Sequence, residues 1–156
     1  MKRIAWGVTG FSFIFASACA PAPAADASLY ERLGGYDAIA GVTDDFLDRL
    51  VADTAIKPYF EGLPDSVMKR IRQHVVDQLC EATGGPCFYI GRTMQSTHRG
   101  LGITDEHFKQ AGVLMMETLD KFKIAEPERS EFLGLVEKLR PDIVEPKAPA
   151  AAATQQ

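Results

Sequence analysis

The chain has 156 residues, of which 46% are hydrophobic and 24% are charged, a composition typical of a soluble protein with one core. Its formal net charge of -4 argues against the basic surface that nucleic-acid-binding proteins use. We therefore expect one globular domain and no nucleic-acid partner.

The N-terminus has the pattern of an export signal over residues 1–18. Lys2 and Arg3 precede an apolar stretch that is too short to span a bilayer. The Ala-Ser-Ala-Cys sequence that ends at Cys19 is similar to the processing box of bacterial lipoproteins, in which the cysteine becomes the acylated first residue. Cleavage shortly after this box by the ordinary signal peptidase is the alternative. We predict an exported, periplasmic protein that is anchored to the membrane through an acylated Cys19.

The rest of the chain divides into a linker, one domain and a tail. Residues 19–27 form a linker of small residues, and residues 145–156 form a Pro/Ala tail with too little apolar bulk to pack. We expect this tail to be disordered and residues 28–144 to form the domain.

Capping residues and apolar spacing predict helices in the first half of the domain. Ser28 and Glu31 form a capping box for a short first helix, which the glycine pair at 34–35 ends. Apolar residues at steps of three and four predict a second helix over about residues 36–51. A third helix follows Asp65, which we expect to cap it.

The second half of the domain is helical as well. Met94 and His98 lie on a predicted helix of one or two turns, Thr104 caps a long apolar helix, and Pro127 suits the first turn of a last one. The sequence shows no alternating strand pattern. The predicted fold class is all-α with about five or six helices, of which the first and the one bearing His98 are very short.

Cys80 and Cys87 flank a Gly-Gly-Pro turn. In an exported protein, a cysteine pair this close is typical of a disulfide rather than of a metal site, because no further cysteine of the mature domain can complete a thiolate cluster. Two buried thiols are the alternative.

His98 is the candidate metal ligand. Its helix is too short to be stable in isolation, and it lies between Gly91 and Gly100, which let the backbone approach another group closely. No His-x-x-x-His or Glu-x-x-His motif gives His98 a partner at metal-ligand spacing. A metal bound by one histidine must bring its other ligands, as haem does because the porphyrin fills four positions.

A haem held by His98 would be bound without a covalent link, because no Cys-x-x-Cys-His motif is present. Such a porphyrin needs a crevice of aromatic and aliphatic side chains. The predicted helices offer apolar residues for it: Phe46, Phe60, Ile71, Val75, Leu79, Met94 and Phe108.

Several motifs along the domain match one family. In chain order they are Leu-Tyr-Glu-Arg-Leu-Gly-Gly at residues 29–35, Tyr59-Phe60, Gly84-Gly85-Pro86, Tyr89-x-Gly91, Met94 four residues before His98, and Gly102-Ile103-Thr104 leading to His107-Phe108. By these motifs the region from Leu29 to about Leu139 resembles the bacterial group I truncated haemoglobins, which are short two-over-two helical globins that bind haem b and diatomic gases.

The resemblance implies roles for individual residues. His98 is the proximal iron ligand and Phe60 packs on the porphyrin, while Arg92 is the partner for a haem propionate. The other residues that line the pocket by resemblance are Phe46, Tyr89, Met94 and Phe108.

The chain departs from the family on the opposite side of the haem. Many members have a tyrosine where this chain has Leu47 and a glutamine where it has Val75, and those groups donate hydrogen bonds to bound oxygen. Leu47, Ile71 and Val75 cannot donate, so we predict fast oxygen release and weak discrimination against carbon monoxide.

His74 has three interpretations. In some relatives a histidine at the matching position occupies the sixth iron site, and in others the basic residue there contacts a propionate. A solvated His74 without a functional role is the third interpretation. We expect His107, the remaining histidine, to be structural or exposed.

The resemblance implies a haem protein of the cell envelope that reversibly binds oxygen or nitric oxide. Because the chain has no reductase domain, electrons would come from a periplasmic reductant of unknown identity. We interpret it as a binding protein rather than an enzyme. One alternative is an enzyme with nitric oxide dioxygenase or weak peroxidase activity. A second is electron transfer or redox sensing by a bis-histidine haem, with Cys80 and Cys87 as a thiol switch. The third is a purely structural lipoprotein.

Overall fold

Helices and turns make up the part of the chain that the computed structural model describes, residues 27–146. The predicted signal peptide, nearly all of the predicted linker and residues 147–156 of the predicted tail lie outside the described residues. Within residues 27–146, no helix combines the length and the apolar character needed to cross a membrane.

The all-α fold class is confirmed for the described residues. The helices are α1 (Leu29–Leu33), α2 (Gly35–Ala52), α3 (Asp65–Ala82), α4 (Met94–His98), α5 (Asp105–Lys121), α6 (Glu128–Glu137) and α7 (Arg140–Ile143), with a 3₁₀ turn at Lys57–Tyr59. Six of these helices have five or more residues and α7 is a single turn. As predicted, α1 and α4 are very short.

Local side-chain bonds explain where α1 and α5 begin. Ser28 Oγ accepts a hydrogen bond from the Glu31 amide at 3.2 Å, and the Glu31 carboxylate accepts one from the Ser28 amide at 2.9 Å. Gly34, at φ 101°, ends α1 in the left-handed conformation that glycine adopts at little cost. Thr104 caps α5 through its bond to the His107 amide. Both predicted caps are confirmed.

Asp65 does not cap α3, so this prediction is wrong. Pro64 occupies the capping position with extended backbone, and no described side chain caps the helix. Asp65 is instead the first helical residue, where its negative charge interacts favourably with the helix dipole. Pro127 likewise lies directly before α6 rather than inside its first turn.

The helices pack around α2, which contacts α1, α3 and α5, while α6 packs on α1 and α7 on α4. The main core consists of ten buried side chains: Leu29, Leu33, Ile39, Val42, Val76, Leu79, Cys80, Met115, Leu119 and Phe132. A smaller cluster contains Leu47, Leu50, Ile56 and Leu114. Phe46 packs against both clusters, so one face of α2 connects them.

A polar contact also joins α2 to α5. Asp45 accepts hydrogen bonds from Arg49 Nε at 2.7 Å and from the buried Thr118 hydroxyl at 2.9 Å, and it pairs with Lys121. Burial acts to raise the pKa of Asp45, but these bonds outweigh it and lower the pKa to about 2. The carboxylate therefore stays charged and stabilises the α2–α5 contact at neutral pH.

The predicted disulfide between Cys80 and Cys87 is confirmed, with the two Cα atoms 5.7 Å apart. It ties the end of α3 to the loop that precedes α4. Gly85 lies inside the bridged loop, where an added Cβ would be 2.7 Å from Cys80 Sγ and would also collide with the Tyr30 ring. The tight turn therefore requires glycine at this position.

Candidate functional site

His98 is the last residue of α4, whose start is capped by Thr93. The Nδ1 atom of His98 lies 2.8 Å from the carbonyl oxygen of Met94, one helical turn earlier. Because a carbonyl oxygen only accepts hydrogen bonds, Nδ1 carries the proton in the neutral ring, and Nε2 keeps an unprotonated lone pair. Metal-binding histidines have the same arrangement, in which one ring nitrogen donates to a carbonyl and the other binds the metal.

The described residues around His98 do not form a complete metal site of protein ligands. Within residues 27–146, no group of three or more His, Cys, Asp or Glu side chains could hold a metal ion. A single histidine with an unprotonated Nε2 fits a metal that carries its other ligands, as haem iron does.

The two glycines around α4 serve different purposes. At Gly91 an added Cβ would collide with the Tyr89 ring, which folds back so that its hydroxyl donates to the Arg92 carbonyl at 2.6 Å. At Gly100 no atom lies within 4 Å of an added Cβ, and the residue is needed for its φ of 83°. The close approach that we expected at both glycines thus occurs only at Gly91.

The predicted pocket lining divides between the two apolar clusters. The smaller cluster brings four of the lining residues together: Phe46, Leu47, Phe60 and Ile71. Val75 and Leu79 pack with the main core instead. None of these six side chains carries a hydrogen-bond donor, so this wall is apolar throughout.

The remaining lining residues lie towards α4 and α5. Met94 is half-buried in the first turn of α4. Phe108 is buried, and the guanidinium of Arg140 lies 4.5 Å from the centre of its ring. Arg92 is exposed and donates from Nη2 to the Ser96 carbonyl, an exposed position that suits contact with a propionate at a pocket edge.

His74 is half-buried on α3, and its ring meets the Tyr89 ring edge-on, with centroids 5.9 Å apart. Its Nδ1 atom is buried and has no hydrogen-bond partner among the described residues. Leaving a buried nitrogen unpaired costs about 1 to 3 kcal/mol. The unpaired nitrogen leaves the His74 ring without a hydrogen bond that would fix its orientation on α3.

Sequence reasoning missed the contact between Tyr59 and His107. The Tyr59 hydroxyl lies 2.7 Å from His107 Nδ1, which also accepts from the Thr104 amide at 3.2 Å. Burial and the negative charge of Glu145 raise the pKa of Tyr59. His107 is therefore structural, and no local signal could have revealed a partner 48 residues away.

Sequence reasoning also missed Glu145, which begins the predicted tail. Its amide donates to the Ile103 carbonyl at 2.9 Å, and its carboxylate accepts from the Gly100 amide. These two bonds hold the segment that follows His98. Beside it opens a cleft of about 370 Å³, lined by Gln95, His98, Arg99 and residues 141–146. Of the predicted site residues, only His98 lines this cleft.

Comparison with known proteins identifies the family. The sequence matches the family described as bacterial-like globin over residues 28–145. The chain belongs to this family. Membership implies that this globin binds haem and gases such as oxygen, and it agrees with the unprotonated Nε2 of His98.

The globin has relatives among the group 1 truncated hemoglobins. It is 33% identical over 117 residues to GlbN of Mycolicibacterium paratuberculosis, an alignment that covers 75% of this chain and 84% of that protein. It is 34% identical over 103 residues to GlbN of Synechocystis, an alignment that covers 64% of this chain and 81% of that protein. The resemblance to group I truncated haemoglobins is thereby confirmed.

Solved structures support the same fold. The truncated hemoglobin of Tetrahymena pyriformis in its Fe(III) form matches with a TM-score of 0.71 at 25% identity, covering 77% of this chain and 100% of that one. A second match is the 2/2 hemoglobin of Synechococcus in the cyanomet state and with covalently attached heme. Its TM-score is 0.69 at 28% identity, and the match covers 76% of this chain and 98% of that one. The globin therefore has the two-over-two arrangement of truncated hemoglobins.

Proposed function

We propose that this globin holds haem b without a covalent link through His98, and that it reversibly binds oxygen or nitric oxide in the cell envelope. The observation that carries the proposal is the 2.8 Å bond between His98 Nδ1 and the Met94 carbonyl. This bond leaves Nε2 unprotonated on a helix of only five residues, none of which is fully buried.

The residues present fit a haem. His98 would bind the iron, Arg92 would contact a propionate, and the apolar wall of the smaller cluster would contact the ring. When bound, haem supplies an iron atom at which a diatomic gas can bind. The chain contributes binding, orientation and exclusion of water.

His98 is held in place from two directions. The Met94 carbonyl restricts rotation of its ring and raises the basicity of Nε2. The bonds of Glu145 to Gly100 and Ile103 fix the backbone directly after α4. These contacts keep the ligand nitrogen in one orientation.

The residues that the resemblance places opposite His98 are apolar and offer no hydrogen bond to a gas. Leu47, Ile71 and Val75 have no donor, and the Tyr89 hydroxyl already donates to the Arg92 carbonyl. A polarised gas ligand therefore loses a hydrogen bond that would be worth about 1.5 to 3 kcal/mol with a charged acceptor. This favours rapid release of oxygen.

The envelope location rests on the sequence. The export signal at residues 1–18 predicts it, and the Cys80–Cys87 disulfide suits an oxidising compartment. In that compartment the globin would depend on a separate reductant. The dioxygenase and peroxidase alternatives stay predictions.

A specific observation favours a second candidate function, electron transfer or redox sensing by a bis-histidine haem. The buried Nδ1 of His74 has no partner among the described residues, so no hydrogen bond at this nitrogen would have to break for the ring to turn and bind iron through Nε2. Ligation by His74 would compete with gas binding and would suit an electron carrier.

Absorption spectra of the haem-loaded full chain test both functions. We expect the wild type to show a Soret band and His98→Ala to lose most of its haem, or to show a changed spectrum where His74 alone holds the iron. The matched control His107→Gln keeps a capping side chain on α5 and should keep its haem. Haem retention by His98→Ala with an unchanged spectrum would refute the assignment.

His74→Ala separates the two candidates. A change of the ferric spectrum from low-spin to high-spin would establish His74 as an iron ligand and favour the bis-histidine function. A high-spin wild-type spectrum that His74→Ala leaves unchanged would exclude it and leave gas binding.

A further inference from the structure

Two apolar side chains project from the loop before α4. Phe88 is 81% exposed and Ile90 is 85% exposed, whereas the other exposed large hydrophobic residues of the described part reach at most 45%. Water contact of two large apolar side chains side by side is unfavourable. Their position therefore suggests a partner surface.

The loop holds these side chains outward. Cys87 is fixed by the disulfide, and Tyr89 packs against His74 and donates its hydroxyl to the Arg92 carbonyl. Burial alternates along this loop, since Cys87 and Tyr89 are half-buried while Phe88 and Ile90 are exposed. Because Cys87 and Tyr89 are fixed on the protein side, Phe88 and Ile90 are presented together on the other.

The loop lies at the same end of the domain as its first residue. The Tyr30 amide donates to the Thr83 carbonyl at 2.8 Å, and an added Cβ on Gly84 would be 3.2 Å from Ser28 Cβ. Phe88 follows Gly84 by four residues, which is at most about 14 Å of extended chain. The two apolar side chains are therefore close to the point where the linker enters.

The chain before Ser28 indicates what this end faces. The predicted acylation site, Cys19, precedes Ser28 by nine residues. Even fully extended, this segment spans at most about 32 Å. An acylated Cys19 would keep Ser28 within about 32 Å of the bilayer, so this end of the domain can reach the lipid surface.

We propose that the loop at residues 87–91 docks on the phospholipid surface, with Phe88 and Ile90 inserted at the boundary between headgroups and acyl chains. The inference rests on the proposed envelope location and acylation. The contact is apolar rather than electrostatic, because the exposed side chains of Glu31 and Glu81, which adjoin Ser28 and Gly84, are negative. Docking would bring the Tyr89 side of the haem pocket to the membrane, where apolar gases are more soluble than in water.

Fluorescence of a single introduced tryptophan tests the contact. The only tryptophan of the sequence is Trp6, inside the predicted signal peptide, so Phe88→Trp gives the mature protein one indole. We compare the acylated, haem-loaded protein in phosphatidylcholine vesicles with and without brominated acyl chains, since bromine quenches only nearby fluorophores. The ratio of the two signals cancels quenching by the haem.

Leu63→Trp is the matched control. Leu63 is exposed and precedes α3, while Phe88 follows it. The 18 residues of this helix place its two ends about 27 Å apart. We expect brominated lipid to reduce the Phe88→Trp emission by about half or more and to leave the Leu63→Trp emission unchanged.

The outcomes distinguish this inference from the proposed function. Vesicle attachment without quenching of Phe88→Trp would overturn docking and leave the anchor intact. A chain that is not acylated and does not attach would overturn both docking and the lipid anchor, while the envelope location and haem binding by His98 would still be tested separately. A third outcome combines two results: brominated lipid does not quench Phe88→Trp, and a soluble donor protein reduces the haem of Phe88→Ser/Ile90→Ser more slowly than that of the wild type. It would assign the loop to a protein partner and also overturn docking.

Discussion

Replacing Asp45 with asparagine tests how strongly a polar contact holds α2 against α5, next to two predicted pocket residues on α2. The carboxylate accepts from Arg49 at 2.7 Å and from Thr118 at 2.9 Å, pairs with Lys121, and is only 10% exposed. Asparagine has nearly the same shape and keeps an acceptor oxygen. Asp45→Asn therefore removes the charge without leaving a cavity.

The pKa of Asp45 sets the size of the expected effect. Burial acts to raise it, but hydrogen bonds from Arg49, Lys121 and Thr118 lower it from 3.8 to about 2. A difference of one in pKa corresponds to about 1.4 kcal/mol, so the bonds stabilise the folded state by at most about 2.4 kcal/mol at neutral pH. Lys121 is 60% exposed, and water screens part of its contribution. We expect Asp45→Asn to cost about 1 to 2 kcal/mol.

Urea unfolding followed by circular dichroism measures this cost. Because the pKa of Asp45 is lower in the folded state than in the unfolded state, its stabilisation is complete above about pH 4 and is lost as the pH falls through about 2. The difference in unfolding free energy between wild type and variant should therefore be constant from about pH 7 to about pH 5 and shrink below about pH 4.

Asp44→Asn is the matched control on the same helix. Asp44 accepts two hydrogen bonds from Arg72, at 2.6 and 3.0 Å, but its side chain is 52% exposed. Exposed ion pairs contribute less than about 1 kcal/mol. Equal losses for Asp44→Asn and Asp45→Asn, or a difference that does not change with pH, would refute the reasoning.

Two further predictions concern the pocket and the disulfide. Val75→Gln adds a donor to the apolar wall and should slow oxygen release by roughly tenfold in stopped-flow measurements, since a bond of this kind is worth about 1.5 kcal/mol or more; an equal effect of Val75→Leu would contradict this. Cys87→Ser should lower the free energy of unfolding by about 2 kcal/mol, as expected for so short a loop. If the reduced wild type is as stable as the oxidised protein, Cys80 and Cys87 do not stabilise the fold.

Helix boundaries could be predicted where they depend on neighbouring residues. The capping box of Ser28 and Glu31, and the cap at Thr104, involve residues three apart, so the sequence contains all the partners. The predicted cap at Asp65 is wrong because Pro64 itself supplies the extended backbone that precedes α3. The disulfide could be anticipated for the same reason, since its cysteines flank one tight turn.

Only part of the candidate site could be predicted from residues that are close in sequence. His98 and its Met94 carbonyl are four residues apart, so a short helix is enough to bring them together. The motifs around them indicated a globin, and family membership confirmed that indication. The division of the lining between two clusters could not be read from apolar spacing, because spacing shows which face of a helix is buried but not which neighbour covers it.

The sequence by itself determined the all-α class, the caps of α1 and α5, the disulfide and the choice of His98. These features depend on residues a few positions apart, whose geometry the backbone already restricts. Only the tertiary structure decided that His74 meets Tyr89 with an unpaired nitrogen and that Glu145 holds the segment after α4. Such contacts arise when separate elements pack together, and their partners depend on how helices and loops cross rather than on local spacing.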